Sequence, residues 1–379
     1  MFVRRFEVHF PEERLVALRA RLTDARWPKV RPGSGWTMGT DEAFLHRLVD
    51  YWLTRFDWRK QEAALNRLPQ FVTEIDGRAL HFVHMRSREE DARPLLLAHG
   101  WPASFALYAD LIPRLTDPVR FGGEAVDAFD VVLPSLPGFI FSDPFPDGGP
   151  RGRIADLWHE LMSEVLGYPR FAAAGGDIGS DVVTQLALRH AGSLTGIHLT
   201  DVRDPWLGPR AAPLTLAEET YRNAQAAWYA AEGGYDAIQT TKPQTLAYAL
   251  NDSPLGAAAW IVEKMRAWSD CGGDVERRFS LDQLLTNITL YLATDTLATS
   301  LQLYFDRVNH PQGFAVGERV ATPTAVALFP AETPANPPRE YAERAYNIRR
   351  WTPMPRGGHF PFAEEPDLLA EDIRAFFRR

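Results

Sequence analysis

The chain has 379 residues, of which 45% are apolar and 24% are charged, and its formal net charge is -8 at pH 7. Such a composition is typical of a soluble globular protein, and the acidic balance argues against nucleic acid as a partner. The one cysteine, Cys271, excludes an intrachain disulfide and disfavours a thiolate metal site. Residues 1–7 lack the apolar segment of a secretory signal, and no run is long and apolar enough to cross a bilayer. We therefore expect a cytoplasmic protein without a membrane anchor.

The N-terminal part of the chain precedes the first run that is typical of a buried core strand. Periodic leucines over Pro11–Leu22 predict one helix, and a second apolar stripe predicts another helix after Thr40, which we expect to be its N-cap. Alternating residues over 71–85 surround Asp76-Gly77, which is a strong hairpin signal. Residues 1–93 are thus predicted to form an N-terminal extension of helices plus a hairpin.

Short apolar runs then alternate with helical patterns, beginning with a predicted buried strand at Pro94–Ala98. The alternation stops after Asp201, and residues 206–318 read as mostly helical before the strand–helix pattern returns. This order predicts an α/β fold with a mostly parallel sheet covered by helices on both faces. The predicted core is divided into residues 94–205 and 319–379, with 206–318 inserted between them as a helical lid.

The central motif of the predicted core is Gly175-Gly176-Asp177-Ile178-Gly179, which follows a small apolar run and precedes an amphipathic helix. This layout is typical of a nucleophile elbow, a sharp strand-to-helix turn that lifts its central side chain above the sheet. With Asp177 in place of serine, a carboxylate would attack a saturated carbon and leave an ester for water to open. The structural alternative is a glycine-rich turn with an aspartate N-cap.

Two further polar residues follow predicted strands in the order expected of a catalytic triad. Glu332 comes after the strand that ends at Phe329, and His359 lies in a glycine-rich loop after the last strand. Taken alone, each could be an ordinary surface residue. The order nucleophile, acid, histidine is that of the α/β-hydrolase triad, which favours a catalytic role for both. Asp201, also at a strand end, is an alternative partner for the histidine.

An oxyanion hole is predicted at the loop His99-Gly100-Trp101-Pro102, which ends the first core strand. The usable groups are the backbone N–H groups of Trp101 and of Ile178, the residue after the nucleophile, because Pro102 has no N–H. The structural alternative is a tight turn around a packed tryptophan.

These motifs together identify a family resemblance that covers nearly the whole length of the chain. The chain resembles the microsomal-type epoxide hydrolases of the α/β-hydrolase superfamily, in a soluble microbial form without a membrane anchor. The matching segments are Ala25-Arg26-Trp27-Pro28, His99-Gly100-Trp101-Pro102, Pro137-Gly138-Phe139, Gly175-Gly176-Asp177, Phe329-Pro330-Ala331-Glu332 and Gly357-Gly358-His359-Phe360.

The resemblance implies that two lid tyrosines bind the epoxide oxygen. Tyr235 lies in a segment similar to the first tyrosine segment of the family, and Tyr304 in one similar to the second. Gln302 stands where many members carry arginine, but the spacing from Ser300 to the tyrosine is kept. Lone lid tyrosines are otherwise packing or interface residues. We also expect substrate contacts from residues within or beside the shared motifs: His99, Pro102, Phe139 and Phe360.

The activity implied by the resemblance is conversion of an epoxide to a vicinal diol. Asp177 would form an alkyl ester, and water activated by His359 would hydrolyse it. Such a reaction needs only a small-molecule epoxide and water, so we expect no cofactor and no metal. The biological role would be detoxification or secondary metabolism, and a homodimer is one assembly to be considered.

Two other functions are weighed against this one. A haloalkane dehalogenase uses the same aspartate, histidine and acid, but commonly has a halide-binding tryptophan where this chain has Ile178, and the paired lid tyrosines also speak against it. A catalytically inactive hydrolase fold that serves as a ligand-binding protein would usually have lost a triad member. An assay for diol formation separates all three.

Overall fold

Within residues 2–208 and 211–378, which the computed structural model describes, nine strands form one sheet. Their bounds are β1 (Arg4–Phe6), β2 (Gln70–Ile75), β3 (Arg78–Met85), β4 (Arg93–Ala98), β5 (Phe129–Pro134), β6 (Phe171–Gly175), β7 (Leu194–Leu199), β8 (Val320–Leu328) and β9 (Tyr346–Pro353). They lie in the order β1-β2-β3-β5-β4-β6-β7-β8-β9. The sheet is antiparallel from β1 to β5 and parallel from β5 to β9, as predicted for an α/β-hydrolase fold.

Helices pack against the sheet and also form a separate group between β7 and β8. Their bounds are α1 (Glu12–Thr23), α2 (Glu42–Thr54), α3 (Trp58–Leu65), α4 (Leu111–Thr116), α5 (Arg151–Glu160), α6 (Ile178–Arg189), α7 (Leu216–Glu232), α8 (Gly234–Thr241), α9 (Pro243–Asp252), α10 (Pro254–Ala267), α11 (Leu281–Ala293), α12 (Leu297–Asn309), α13 (Arg339–Glu343), α14 (Pro361–Glu364) and α15 (Pro366–Phe377). None of those described is long and apolar enough to cross a membrane.

The central strands are short and apolar because helices cover them. Leu95 and Leu96 of β4 and Ala173 of β6 have no exposed surface. Helices α5 and α6 contact each other beside β6, while α4 and α15 pack together against β5, β7 and β8. A strand that is buried on both faces has no polar face to present, so its sequence is continuously apolar rather than alternating. This explains why β4 and β6 could be predicted from their composition.

The N-terminal part of the chain adds strands to the sheet and packs α1 and α2 against α10 and α11. Its predicted hairpin is present: β2 pairs antiparallel with β3 across Asp76-Gly77, both with positive φ. Strand β1, which the sequence analysis missed, pairs with β2 at the sheet edge. Because it spans only Arg4–Phe6 and is largely exposed, its pattern gave no strand signal.

The predicted N-cap of α2 is wrong by one residue. Asp41, not Thr40, is the cap, and its carboxylate accepts a 2.8 Å hydrogen bond from the N–H of Phe44. The Thr40 hydroxyl instead donates to the carbonyl oxygen of Ala259 in α10 at 2.7 Å. Aspartate and threonine are both good N-caps, so the sequence could not separate them. The contact with α10 ties the extension to the helical group.

Helices α7 to α12 lie between β7 and β8 in the sequence and cover the loop after β4. In α11, Asn287 donates from Nδ2 to the carbonyl oxygen of Pro102 at 2.7 Å, and the Tyr291 hydroxyl donates to that of Ala103 at 2.7 Å. Buried polar groups need such partners, so these bonds hold α11 against the loop after β4. The predicted segment boundaries at residues 93, 205 and 318 stay a prediction.

Removing residues 1–70 is expected to give insoluble protein. The deletion takes away β1 and α1 to α3, together with fully or nearly fully buried side chains such as Leu48 and Trp52, which are 0% and 3% exposed. The uncovered apolar surface would promote association. Expression, sedimentation and light scattering check this, and a soluble, active truncation would contradict it.

Point variants give a milder test of the same packing. Leu48→Ala should lower the free energy of unfolding by about 2–5 kcal/mol, because it empties a fully buried site. Val16→Ala, in the neighbouring helix and 55% exposed, is the control and should change it by less than about 0.5 kcal/mol. Denaturant unfolding measures both.

Candidate active site

Asp177 lies in the predicted turn between β6 and α6. Its backbone has φ 53° and ψ -130°, a conformation that costs energy for any residue with a side chain. The turn is possible because its neighbours are glycines: a Cβ on Gly179 would collide with the carbonyl of Ala98, and one on Gly175 would collide with Gly179. Strand and helix therefore approach closely, and the carboxylate is held above the ends of the parallel strands.

The carboxylate of Asp177 receives hydrogen bonds from both predicted oxyanion donors and faces the histidine. Its Oδ1 accepts the backbone N–H of Trp101 at 2.9 Å, and the backbone N–H of Ile178 also bonds to the carboxylate. Its Oδ2 is 3.5 Å from Nε2 of His359. Burial opposes the charge, but the histidine and the two N–H groups outweigh it and hold the pKa of Asp177 below its ordinary value. The group is a carboxylate at neutral pH.

His359 lies between two carboxylates. Its Nδ1 is 2.6 Å from Oε1 of Glu332, and its backbone N–H donates to the carbonyl oxygen of Trp268 at 2.9 Å. Burial alone would lower the pKa of His359, but the charge of Glu332 and the hydrogen bonds to both carboxylates raise it well above its usual value. Each ring nitrogen therefore faces a carboxylate, an arrangement that favours the protonated imidazole.

Asp201, the alternative partner for the histidine, lies in the same cavity but is not the nearest acid. The carboxylate within hydrogen-bond distance of His359 Nδ1 is that of Glu332. Among the described residues, the buried Oδ1 of Asp201 has no hydrogen-bond partner. Burial and, next, the charge of Glu332 raise the pKa of Asp201 well above its ordinary value. A neutral acid beside a charged one is the arrangement that this geometry favours.

The two predicted tyrosines come from different helices and line the same cavity as the nucleophile. Tyr235 is in the first turn of α8 and Tyr304 is in α12, and their ring centroids are 6.1 Å apart. Both rings pack against Trp101, at centroid distances of 6.1 and 5.9 Å. Burial and, next, the charge of Asp177 raise the pKa of both phenols, so they stay protonated and can donate hydrogen bonds.

One cavity of about 210 Å³ brings the predicted catalytic side chains together. Its lining includes Asp177, Glu332, His359, Tyr235, Tyr304 and Ile178. The phenols and the carboxylate can therefore act on one small molecule at the same time.

The four predicted substrate-contact residues are not in the lining of this cavity among the described residues: His99, Pro102, Phe139 and Phe360. His99 is fully buried, its Nε2 accepts the N–H of Leu136 at 3.1 Å, and burial lowers its pKa to about 4. Phe139 packs edge-on against His99 at 5.4 Å, and Phe360 against His359 at 5.0 Å. These side chains lie outside the lining, and direct substrate contact by the four residues stays a prediction.

The lining also includes residues that were not predicted, among them Arg151, Trp268 and Arg307. Arg307 lies one helical turn after Tyr304, and that spacing could have indicated a shared face. Arg151, in the first turn of α5, donates to the carbonyl oxygen of Leu303 at 3.1 Å, a contact with no signal in the sequence. Within the two described ranges, no group of three or more histidine, cysteine or acidic side chains could hold a metal ion.

Comparison with known proteins assigns the family. Residues 3–108 match the family described as epoxide hydrolase N terminus, and residues 93–243 match the alpha/beta hydrolase fold family. Epoxide hydrolase 1 of Sus scrofa is 35% identical over 405 residues, which covers 99% of this chain and 88% of that protein. The solved epoxide hydrolase of Aspergillus niger has a TM-score of 0.85 at 28% identity, covering 99% of this chain and 96% of that one. The juvenile hormone epoxide hydrolase of Bombyx mori has a TM-score of 0.85 at 28% identity, covering 99% and 93%.

The similar proteins match the chain over almost its entire length, including both the N-terminal extension and the helical group above the sheet. The fold, the aspartate at the elbow and the motifs of the sequence agree with this assignment. The chain therefore belongs to the epoxide hydrolase family and has its α/β-hydrolase fold.

Proposed function

We propose that the enzyme opens its epoxide in two steps through an ester on Asp177. The observation that carries this proposal is that the two carboxylate oxygens of Asp177 have different neighbours. Oδ1 is already held by the N–H of Trp101 at 2.9 Å, while Oδ2 is the oxygen nearest His359 Nε2. Attack by Oδ2 would leave Oδ1 as the ester carbonyl, in the position where the backbone donors can stabilise an oxyanion.

In the first step, Tyr235 and Tyr304 donate hydrogen bonds to the epoxide oxygen while Asp177 attacks a ring carbon from the opposite side. A carbon–oxygen bond of the ring breaks as the ester bond forms, and the alkoxide takes up a proton from one of the two phenols, which regains a proton from solvent. The phenols are suited to this step because burial keeps them protonated. Their hydrogen bonds strengthen as charge grows on the oxygen, which favours the transition state over the substrate.

In the second step, His359 removes a proton from water, and the resulting hydroxide attacks the ester carbonyl carbon. The bond between that carbon and Oδ2 then breaks, and the leaving alkoxide takes the proton of the newly formed carboxylic acid, which releases the diol and restores the carboxylate of Asp177. Formation of the ester favours the neutral form of His359, which is the form that can act as the base. The charge of Asp177 and its hydrogen bond contribute to the raised pKa of His359, and both are lost in the ester. The pKa of the imidazole then falls, and the neutral form needed for proton abstraction becomes populated. Glu332 keeps the ring oriented throughout.

A single turnover in oxygen-18 water with excess enzyme should label Asp177 and leave the diol unlabelled. Water attacks the ester carbonyl, so its oxygen remains on the aspartate while the aspartate's own oxygen leaves in the diol. Mass spectrometry of the peptide and the diol measures both. As a control, enzyme labelled in this way and moved to ordinary water should release labelled diol. Label in the first-turnover diol would instead mean direct attack of water on the epoxide.

His359→Gln should allow alkylation and block hydrolysis, so that the ester accumulates as a mass increase on the intact protein. Glu332→Gln should slow hydrolysis less severely, because it weakens the orientation of the base without removing it. Asp201→Asn serves as the matched control among buried acids of the cavity. A larger effect of Asp201→Asn than of Glu332→Gln on hydrolysis would move the orienting role to Asp201.

Tyr235→Phe and Tyr304→Phe should each slow alkylation, and the double variant should nearly abolish it. Loss of one donor to a developing oxyanion typically costs about a hundred- to a thousandfold in rate, and two donors sharing one oxygen should make each single loss milder. Single-turnover tryptophan fluorescence follows alkylation, and diol release follows hydrolysis. Tyr229→Phe, in the same cavity but 42% exposed, is the control. A wild-type alkylation rate in Tyr304→Phe would remove that residue from the mechanism.

The alternatives raised by the sequence do not fit the family assignment. Neither a haloalkane dehalogenase nor an inactive ligand-binding protein would need two protonated phenols in one cavity with an ionised aspartate. The substrate class is a small-molecule epoxide; the cytoplasmic location, the homodimer and the choice between detoxification and secondary metabolism stay predictions.

A further inference from the structure

Each phenol proposed to bind the epoxide oxygen has a cation over its ring. The Nζ of Lys264 lies 4.8 Å from the ring centroid of Tyr235 and 5.8 Å from that of Trp268. The guanidinium carbon of Arg307 lies 5.5 Å from the ring centroid of Tyr304. A cation within about 6 Å of an aromatic ring centroid is attracted by the ring quadrupole. The site thus has one cation–π pair for each donor.

Lys264 stands out because it is buried. The residue is only 6% exposed, and its ammonium pairs with the carboxylate of the adjacent Glu263 at 2.5 Å. Lysine is rarely buried unless its charge is paired, since desolvation of an ammonium is costly. From α10, its ammonium lies over the rings of Tyr235 and Trp268, and both rings line the cavity that contains Asp177. Packing alone would be served by an apolar side chain of similar length.

A positive charge on a phenol ring changes the strength of the hydroxyl as a donor. It stabilises the phenolate more than the neutral phenol, because the negative charge of the phenolate is partly spread over the ring. The hydroxyl therefore shares its proton more readily as negative charge develops on a bound oxygen. The same charge has little effect on a neutral epoxide before the ring opens, so its influence grows toward the transition state.

We propose that Lys264 is a positioning residue for ring opening that acts through Tyr235, holding the phenol ring in place and strengthening its hydroxyl as a donor to the developing alkoxide. This inference rests on the proposed role of Tyr235 in the first step. Lys264 does not enter the substrate cavity lining in the described part of the chain, so it acts on the phenol and not on the epoxide. Arg307, held by Asp236 at 2.5 Å, is the corresponding cation at Tyr304.

The test is a double-mutant cycle between Lys264 and Tyr235 with single-turnover alkylation as the readout. Lys264→Met should slow alkylation roughly three- to thirtyfold, the range expected for a desolvated cation–π pair, and leave ester hydrolysis within about twofold. In the Tyr235→Phe background, the same change should alter alkylation by less than about twofold. Lys264→Arg, which keeps the cation, should recover most of the rate.

Two further variants keep the result interpretable. Glu263→Gln combined with Lys264→Met leaves no carboxylate unpaired, and it should reproduce the Lys264→Met rates if the lost cation is the cause. Arg266 is on the same helix as Lys264, and its guanidinium carbon lies 4.5 Å from the ring centroid of Trp36. Arg266→Met removes this cation and should leave alkylation unchanged. Unfolding of each variant is measured in parallel.

The outcomes separate the inference from the mechanism beneath it. Equal slowing by Lys264→Met with and without Tyr235 would mean a general structural role and overturn the proposal. Slowing by Tyr235→Phe but not by Lys264→Met would overturn the proposal and leave the role of the tyrosine intact. A wild-type alkylation rate in Tyr235→Phe would overturn the role of the tyrosine and the inference together.

Discussion

The strained backbone at Asp177 is the constraint on which the rest of the site depends. A positive φ at a residue with a side chain costs on the order of 1–3 kcal/mol, and it persists here because β6, within the sheet, and α6, packed against it, fix the two ends of the turn. Strand β6 lies between β4 and β7, and α6 begins at the next residue, Ile178. The turn directs the carboxylate toward the loop after β4. The N–H groups of Trp101 and Ile178 then have a fixed target and need no reorganisation during the reaction.

Charge balance in the site couples the two proposed steps. The resting site holds an imidazolium between Asp177 and Glu332, which stabilises the nucleophile as a carboxylate. Forming the ester removes one of these negative charges, so the pKa of His359 falls, while Glu332 still raises it. The nucleophile and the base thus become active in sequence through one interaction. A histidine with a single carboxylate partner would give less of this change.

Trp101 contacts both the nucleophile at the end of the sheet and the two tyrosines of the helices above it. Its backbone N–H binds the nucleophile, and its ring packs on Tyr235 and Tyr304. The carbonyl of Trp268, just after α10, accepts the N–H of His359 and so ties the same helical group to the base. The position of the phenols relative to the carboxylate is therefore set by packing against rigid elements, which is the condition for donors that act only in the transition state.

The sequence predicts elements whose signals are local: the apolar core strands, the hairpin at Asp76-Gly77, and the elbow whose glycines permit a close strand–helix approach. It also predicted Glu332 and His359, because motif order along an α/β chain places them at neighbouring strand ends. The sequence did not predict the N-cap of α2, because Thr40 and Asp41 are both good N-cap residues and their backbone positions decide which one caps the helix.

The tertiary structure is needed to show which distant side chains meet. In the structure, Glu332 rather than Asp201 is bonded to His359, His99 is buried outside the cavity lining, and Lys264 lies over the ring of Tyr235. These contacts depend on how the helices between β7 and β8 pack onto the sheet. Helical periodicity predicts which face of a helix is buried, but it carries no information on which buried neighbour that face will find.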